Sequence, residues 1–340
     1  MDDLFSGALR QLLEGRCTPQ VVREIEGGAS PQPLRQAIEE SGFADALVPE
    51  AQGGAGLGLS QAFALLQLCG AFALPVPLPE TMLARALLAQ ADIKPPKGSM
   101  ALAEEATQSQ DGTLRCESVR HGRTADAVLV SHQGQCRLLP VATAAREAAV
   151  FPLDADLQWP ASAWAQATPL PGAHDLRTLH AVLAAAQLAG ALMAVCQRTL
   201  QYANERVQFG RPIGKFQAIQ HQLAVIAEHA FAARMAAQIG CQCEGLAPDP
   251  LRAAIAKART GEAAVEVAAL AHSIHGAIGF TAEFDLQLFT RRLHLWRQTA
   301  GSESYWHGVA GAALLDSPAA LALDTLRAAT DIHPTLETTV

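Results

Sequence analysis

Three cations crowd the stretch NERVQFGRPIGKFQAIQHQLA, Asn204–Ala224. Arg206, Arg211 and Lys215 lie around a turn broken by Gly and Pro, and a new helix is expected from near Phe216. Cations beside the free N–H groups of a helix start can seat an anion or a phosphate, and a solvated loop could carry the same residues. A second stretch, RQTAGSESYW (Arg297–Trp306), raises proton chemistry. Its one carboxylate, Glu303, is either a proton acceptor or a first-turn acid suited to the helix dipole behind a Ser302 N-cap.

The elements that must position these residues are mostly helical. Ser30 with Pro31 reads as a cap and first residue for a helix over 32–40, and Ser60 opens another over 61–71. The Gly cluster in GFADALVPEAQGGAGLGLS marks the loop between them. Character changes at the linker DIKPPKGSM. From there to about Thr168 the pattern is strand-like, and ADAVLVSHQGQCRLLP reads as a hairpin turning near Gln133–Gly134. Long apolar runs over 176–206, 216–245, 249–275 and 283–297, joined by short breaks, predict an antiparallel four-helix bundle. The domains expected are therefore 1–97, helical, 98–170, a small β domain, and 171–340, the bundle.

Composition narrows the classes. The chain has 340 residues, half of them hydrophobic and 17% charged, with a net charge of −8. Its 25 basic residues form no long run, which excludes nucleic acid as an expected partner. The seven cysteines show no CxxC or His/Cys ligand spacing, and Cys241 with Cys243 matches no zinc pattern, so free thiols in a reducing compartment are expected and no metal site. The run Ala181–Cys196 is short for a membrane span and reads as a buried core helix. With an acidic N-terminus, MDDLF, the protein is expected to be cytoplasmic.

Tyr202, Arg206, Gln208-Phe209-Gly210, Pro212-Ile213, Phe216-Gln217 and Gln222 together resemble the signature of the acyl-CoA dehydrogenase family. IHGAIGFTAEFDLQLFTRR resembles its Gly-rich turn between bundle helices, and GFADALVPEAQGGAGL its N-terminal helical domain. The blocks stand in family order. The resemblance implies the family's fold, N-terminal helices, a middle β domain shortened here, and a C-terminal bundle. It also implies FAD and oxidation of an acyl-CoA to the 2,3-enoyl-CoA, where a carboxylate removes the α-proton while the β-hydrogen leaves as hydride to the flavin. By position, Arg206, Gln208 and Phe209 match residues that hold FAD from a neighbouring subunit. Phe216 and Gln217 lie on the same turn, while His275, Gly276, Ala277 and Gly279 match the Gly-rich turn near the cofactor. Ser302 belongs to the loop pair that touches the cofactor as well. An electron-transfer flavoprotein is the implied acceptor.

The departures from the family pattern are as informative. In most members the base is a Glu immediately before a Gly-Thr or Gly-Ser pair; here Gly301-Ser302 follows Ala300. A second branch carries the base on the first bundle helix, 26 residues before the signature Arg, and that position is His180. The Thr-Glu-Pro and Gly-Ser-Asp segments find no clear match around ALAEEATQSQDG. In the Gly-rich turn, Ser273 stands for the usual Gln and Ala277 for the second Gly. Such a chain resembles the shorter subunit of heterotetrameric members, whose longer homologous partner supplies the base. The alternatives are a self-sufficient homo-oligomer with Glu303 or His180 as base, and a non-catalytic scaffold.

Overall fold

The fold is given by a computed structural model that describes residues 2–319 and 321–331; residues 332–340 of the third expected domain lie outside them. The α-helices α1 (Asp2–Arg16), α2 (Pro19–Glu26), α3 (Gln32–Ser41), α4 (Leu59–Ala71) and α5 (Leu78–Gln90) come first. Pro31, not Ser30, occupies the capping position of α3, while Ser30 Oγ accepts the Gln32 N–H at 3.3 Å. Helix α4 begins one residue before Ser60. Gly58 stands at its N-cap, its own N–H donated to Gln61 Oε1 at 3.0 Å.

The middle segment holds β1 (Met100–Ala103), β2 (Thr107–Gln108), β3 (Leu114–Val119), β4 (Ala127–His132), β5 (Gln135–Pro140), β6 (Ala145–Ala148), β7 (Ala155–Trp159), a short helix α6 (Ala161–Gln166) and β8 (Thr168–Leu170). They form two four-stranded sheets, in the orders β1-β4-β5-β8 and β2-β3-β7-β6. Alternating residues such as Val128, Val130, Leu114, Cys116, Leu157 and Trp159 are buried together in one cluster. The expected hairpin pairs Ala127 with Pro140 through His132 with Gln135. Its turn takes Gln133 (φ 51°) and Gly134 (φ 74°) left-handed, as a two-residue loop of this twist requires.

The bundle is built from α7 (Leu176–Glu205), α8 (Gln217–Gly240), α9 (Pro250–His275) and α10 (Leu286–Trp296), followed by α11 (Glu303–Leu315) and α12 (Ala322–Thr330). A small hairpin, β9 (Val207–Gln208) with β10 (Arg211–Pro212), interrupts the passage from α7 to α8. Asp175 starts α7 by accepting the Thr178 N–H at 3.0 Å, and Asp249 starts α9 on the Arg252 N–H at 2.9 Å, with Pro250 in the first turn. At 30 residues α7 is longer than the apolar run Ala181–Cys196 suggests, and long and apolar enough to cross a membrane. Its apolar stretch is 89% buried among the other helices, as befits a bundle core.

Helix α7 also joins the bundle to the N-terminal helices at a point of backbone contact. A Cβ on Gly70 of α4 would stand 1.8 Å from the Gln187 carbonyl oxygen, and one on Gly190 of α7 would stand 1.9 Å from that of Gln67. No side chain fits there, so the two glycines fix the crossing of α4 over α7. Gly190→Ala must push the helices apart, at a cost of about 3 kcal/mol or more. Urea denaturation should show the loss, and an unchanged midpoint would refute the close approach.

Candidate functional site

Two concave sites lie at opposite ends of α7. The first is a pocket of about 440 Å³ where α7 ends, lined by Tyr202, Arg206, Gln208, Ile213 and residues 273–278. Helix α9 stops at His275, and Gly276 (φ 65°, ψ −147°) turns the chain with a backbone that only glycine adopts without strain. Ile213 N–H donates to the Arg206 carbonyl at 2.8 Å, which folds the β9–β10 hairpin back over the helix end. Arg206, Arg211 and Lys215 are exposed and make no ion pair among the described residues. Arg211 lies 4.2 Å over the Phe216 ring. The turn therefore presents uncompensated positive charge beside the start of α8.

His275 supplies the pocket's wall with a defined polarity. Its ring stacks on Tyr202 at 4.3 Å, and Tyr202 Oη donates to the His275 carbonyl at 3.3 Å. Its Nδ1 lies 2.8 Å from the Ala271 carbonyl, which can only accept, so Nδ1 carries the proton. Burial lowers the His275 pKa and keeps the ring neutral. Nε2 is then a lone-pair acceptor, and it is buried with no partner.

The second site is a cavity of about 200 Å³ at the other end of α7, bounded by Ala300, Thr299, His180, Glu104, Arg120 and Asp154. It brings the two base positions, Ala300 and His180, to one place. Ala300 is left-handed (φ 58°) and its carbonyl accepts the Trp306 indole N–H at 3.1 Å. Lys257, fully buried, donates from Nζ to the carbonyls of Arg297 and Gly301, both at 2.8 Å, and so fixes the loop from behind. Burial, opposed by Glu303, pulls the Lys257 pKa down to about 7.

Neither candidate base is free. Glu303 does not line this cavity; Arg297 grips its Oε1, and Oε2 lies against α9 near Gly261. Burial alone would raise its pKa, but its own backbone N–H and Arg297 hold it below the ordinary range. Ser302 stands at the N-cap of α11 without a side-chain capping bond, and Glu303 is held both by the backbone N–H at the helix start and by Arg297. His180 Nδ1 contacts Glu104, and its Nε2 stands 3.6 Å from Glu80 Oε1. Burial would lower its pKa, yet these carboxylates push it up to about 9. A histidine protonated at neutral pH has no lone pair with which to take a proton.

Comparison with known proteins places this geometry in a family. Residues 178–315 match the family model "Acyl-CoA dehydrogenase, C-terminal domain". The acyl-CoA dehydrogenase IpdE2 of Mycobacterium tuberculosis is 36% identical over 263 residues, covering 76% of this chain and 79% of that protein. The chain belongs to the acyl-CoA dehydrogenase family. It is thus an oxidoreductase acting on CH–CH bonds. The fold agrees with the ChsE4-ChsE5 complex from Mycobacterium tuberculosis at a TM-score of 0.82, with 21% identity over 94% of this chain and 98% of that one. It agrees with a Tcur3481-Tcur3483 steroid ACAD at 0.79, with 24% identity over 93% and 98%.

Within this acyl-CoA dehydrogenase chain, the structure gathers Arg206, Gln208, His275, Gly276 and Ala277 around one pocket. Phe209 stands outside it, 91% exposed at the hairpin tip, with Phe216 packed edge-on at 6.1 Å and Gln217 exposed beside it. Gly279 is a packing glycine, since a Cβ there would meet His272, His275 and Leu286 at 3.1 Å. Ser302 lies with the Ala300 loop at the other end of the bundle. Glu104, Glu80, Arg120, Asp154 and Lys257 carry no local signal in the sequence, because their partners are remote; Glu104 and His180 are 76 residues apart. The His180 charge has a measurable consequence. A folded-state pKa of about 9 against 6.5 stabilises the fold fully below pH 6.5 and loses that contribution as pH rises to about 9. Lys257 has the opposite slope, so a difference is the right measure. The stability gap between wild type and His180→Gln, from urea midpoints, should be widest below pH 6.5 and shrink toward pH 9. A gap independent of pH would show His180 to be neutral.

Proposed function

We propose that this chain is the half-site subunit of a heteromeric acyl-CoA dehydrogenase, completing the FAD site of a longer homologous chain that supplies the catalytic base. One observation carries the reading. Both positions where the family pattern puts a base, Ala300 and His180, lack a carboxylate, while the cofactor-type residues gather at the other end of α7, 26 residues or about 39 Å away at 1.5 Å per residue. The base end holds a methyl and a locked imidazolium. The far pocket holds one cation, Arg206, without an ion pair among the described residues, and the acceptor His275 Nε2, with Arg211 and Lys215 exposed on the adjoining turn. A chain built this way offers a cofactor to a neighbour and cannot use it at its own base positions.

The chemistry the pocket offers fits part of FAD. Arg206 would meet the pyrophosphate with charge-assisted N–H donors, and Gln208 can both donate and accept. His275 Nε2 would accept from an N–H or O–H group such as an amino or hydroxyl of the adenosine half. When bound, FAD takes up the hydride that leaves the acyl chain. The deprotonating carboxylate belongs to the partner chain, and an electron-transfer flavoprotein reoxidises the complex. One structural neighbour is named a steroid ACAD, which supports steroid-type acyl groups as the substrates.

Against the self-sufficient alternative stand the contacts of its two candidate bases, Glu303 Oε1 with Arg297 and His180 with two carboxylates. The scaffold alternative leaves the unpaired cations without a role. Purified alone, the chain should not turn over acyl-CoA; co-expressed with the longer chain, it should give one FAD per heterodimer. Arg206→Ala should weaken FAD in that complex by about tenfold or more, the loss of about 1.5–3 kcal/mol from a charge-assisted contact. Unchanged FAD affinity would sink the half-site reading. In the same complex Glu303→Gln should leave turnover unchanged while lowering stability through Arg297; a fall by orders of magnitude would restore Glu303 as base.

A further inference from the structure

The cavity beside Ala300 is closed by the chain's own charges. Arg120 enters from the end of β3, is 5% exposed, and lays its guanidinium 4.4 Å over the Trp296 ring. Its Nη1 stands 3.6 Å from Glu80 Oε1, and the same oxygen lies 3.6 Å from His180 Nε2. His180 continues the chain of charges to Glu104. Four side chains, from α5, β3, α7 and the segment after β1, thus interlock where the base positions converge. The free space left, about 200 Å³, falls below the roughly 300–1,000 Å³ of sites that take organic ligands of this kind.

Removal of an α-proton and loss of the β-hydrogen to a flavin require base and flavin ring to flank the same pair of carbons. The flavin ring of a working site must therefore share the cavity of the base. Here Arg120 lines the cavity and covers the face of the buried Trp296 indole behind it, the sort of surface on which a planar aromatic ring would otherwise stack. A guanidinium does not deprotonate in proteins, so the charge on Glu80 stays balanced at every working pH. The residues present do not fit a flavin ring at this end of the chain.

We propose that Arg120, seated on Trp296 and held by Glu80, is a resident plug that excludes the flavin ring from this chain's own cavity and so leaves one cofactor-binding end, the Arg206 pocket. The inference deepens the half-site reading and rests on it for its biological meaning. Its geometry is tested separately.

Riboflavin is the probe, because it carries the flavin ring without the pyrophosphate and adenine that the Arg206 pocket would hold. Titrated into the purified wild-type chain, it should produce no saturable quenching of tryptophan emission. Arg120→Ala combined with Glu80→Gln removes the plug together with the charge it balances. That variant should bind riboflavin about tenfold or more tightly than wild type, with quenching that disappears when Trp296→Phe is added. A folded double variant that gains no binding overturns the proposal. So does wild-type quenching that Trp296→Phe abolishes. Should the double variant fail to fold, Arg120→Lys keeps the charge beside Glu80 and removes the stacked plane; binding above wild type supports the plug, and binding no better than wild type overturns it. Since riboflavin cannot report on Arg206, a failure here leaves the FAD stoichiometry test untouched, and the reverse holds as well.

Discussion

The rest of the structure depends on the burial of one helix, α7. Its 30 residues run through the bundle with a nearly continuous set of fully buried small side chains, Ala181, Ala184, Ala185, Ala186, Ala189 and Ala191 among them. Side chains this short let α4, α8 and α9 approach closely, and at Gly70 and Gly190 the approach reaches backbone on backbone. Helix α7 separates the Arg206 pocket from the Ala300 cavity by about 39 Å along its axis, 26 residues at 1.5 Å each.

Electrostatics explains why the two ends differ so sharply. At the Arg206 end the cations are exposed and unpaired, so each keeps its hydration and can exchange water for an anion at little cost. At the Ala300 end the charges are buried, and a buried charge is tolerated only beside its opposite. Glu80 illustrates the balance. Burial pushes its carboxyl upward, yet Arg120 and His180 bring it down to about 2. Asp154, which has less help, is pushed up to about 6 by burial, only partly offset by the His121 N–H and Arg120. The charges around the cavity are thus balanced from within by ion pairs at 3.6 Å, while Glu80, Arg120 and His180 Nε2 keep hydrogen-bonding capacity that no described residue takes up.

Much of the fold was legible in the sequence because its signals are local. The β4–β5 turn at Gln133–Gly134, the Asp–Pro start of α9 and the Gly276 stop after His275 are each decided within a few residues. The cofactor turn was legible for the same reason, since Arg206, Gln208 and the 273–278 segment are contiguous runs that the bundle brings together. The surroundings of Glu303 and His180 were not legible, because they are tertiary. Arg297 is near Glu303 in the chain, but Lys257 and Gly261 come from α9; Glu80 and Glu104 reach His180 from α5 and from the segment after β1. Periodicity and capping rules carry no information about such partners.

The Ala300 loop is firmly framed although the residue at its centre carries only a methyl. Lys257 still clamps the carbonyls on both sides, Trp306 still holds the Ala300 carbonyl, and Ala300 remains in a left-handed conformation that a β-carbon disfavours. Residues 298–300 line the same cavity as Arg120 and His180, so the Lys257 and Trp306 bonds hold one wall of that cavity in place. Restoring a carboxylate at Ala300 would add negative charge to a cavity that Glu104 and Asp154 already line, with Arg120 and His180 as its cations, so a base there would titrate under the influence of all four.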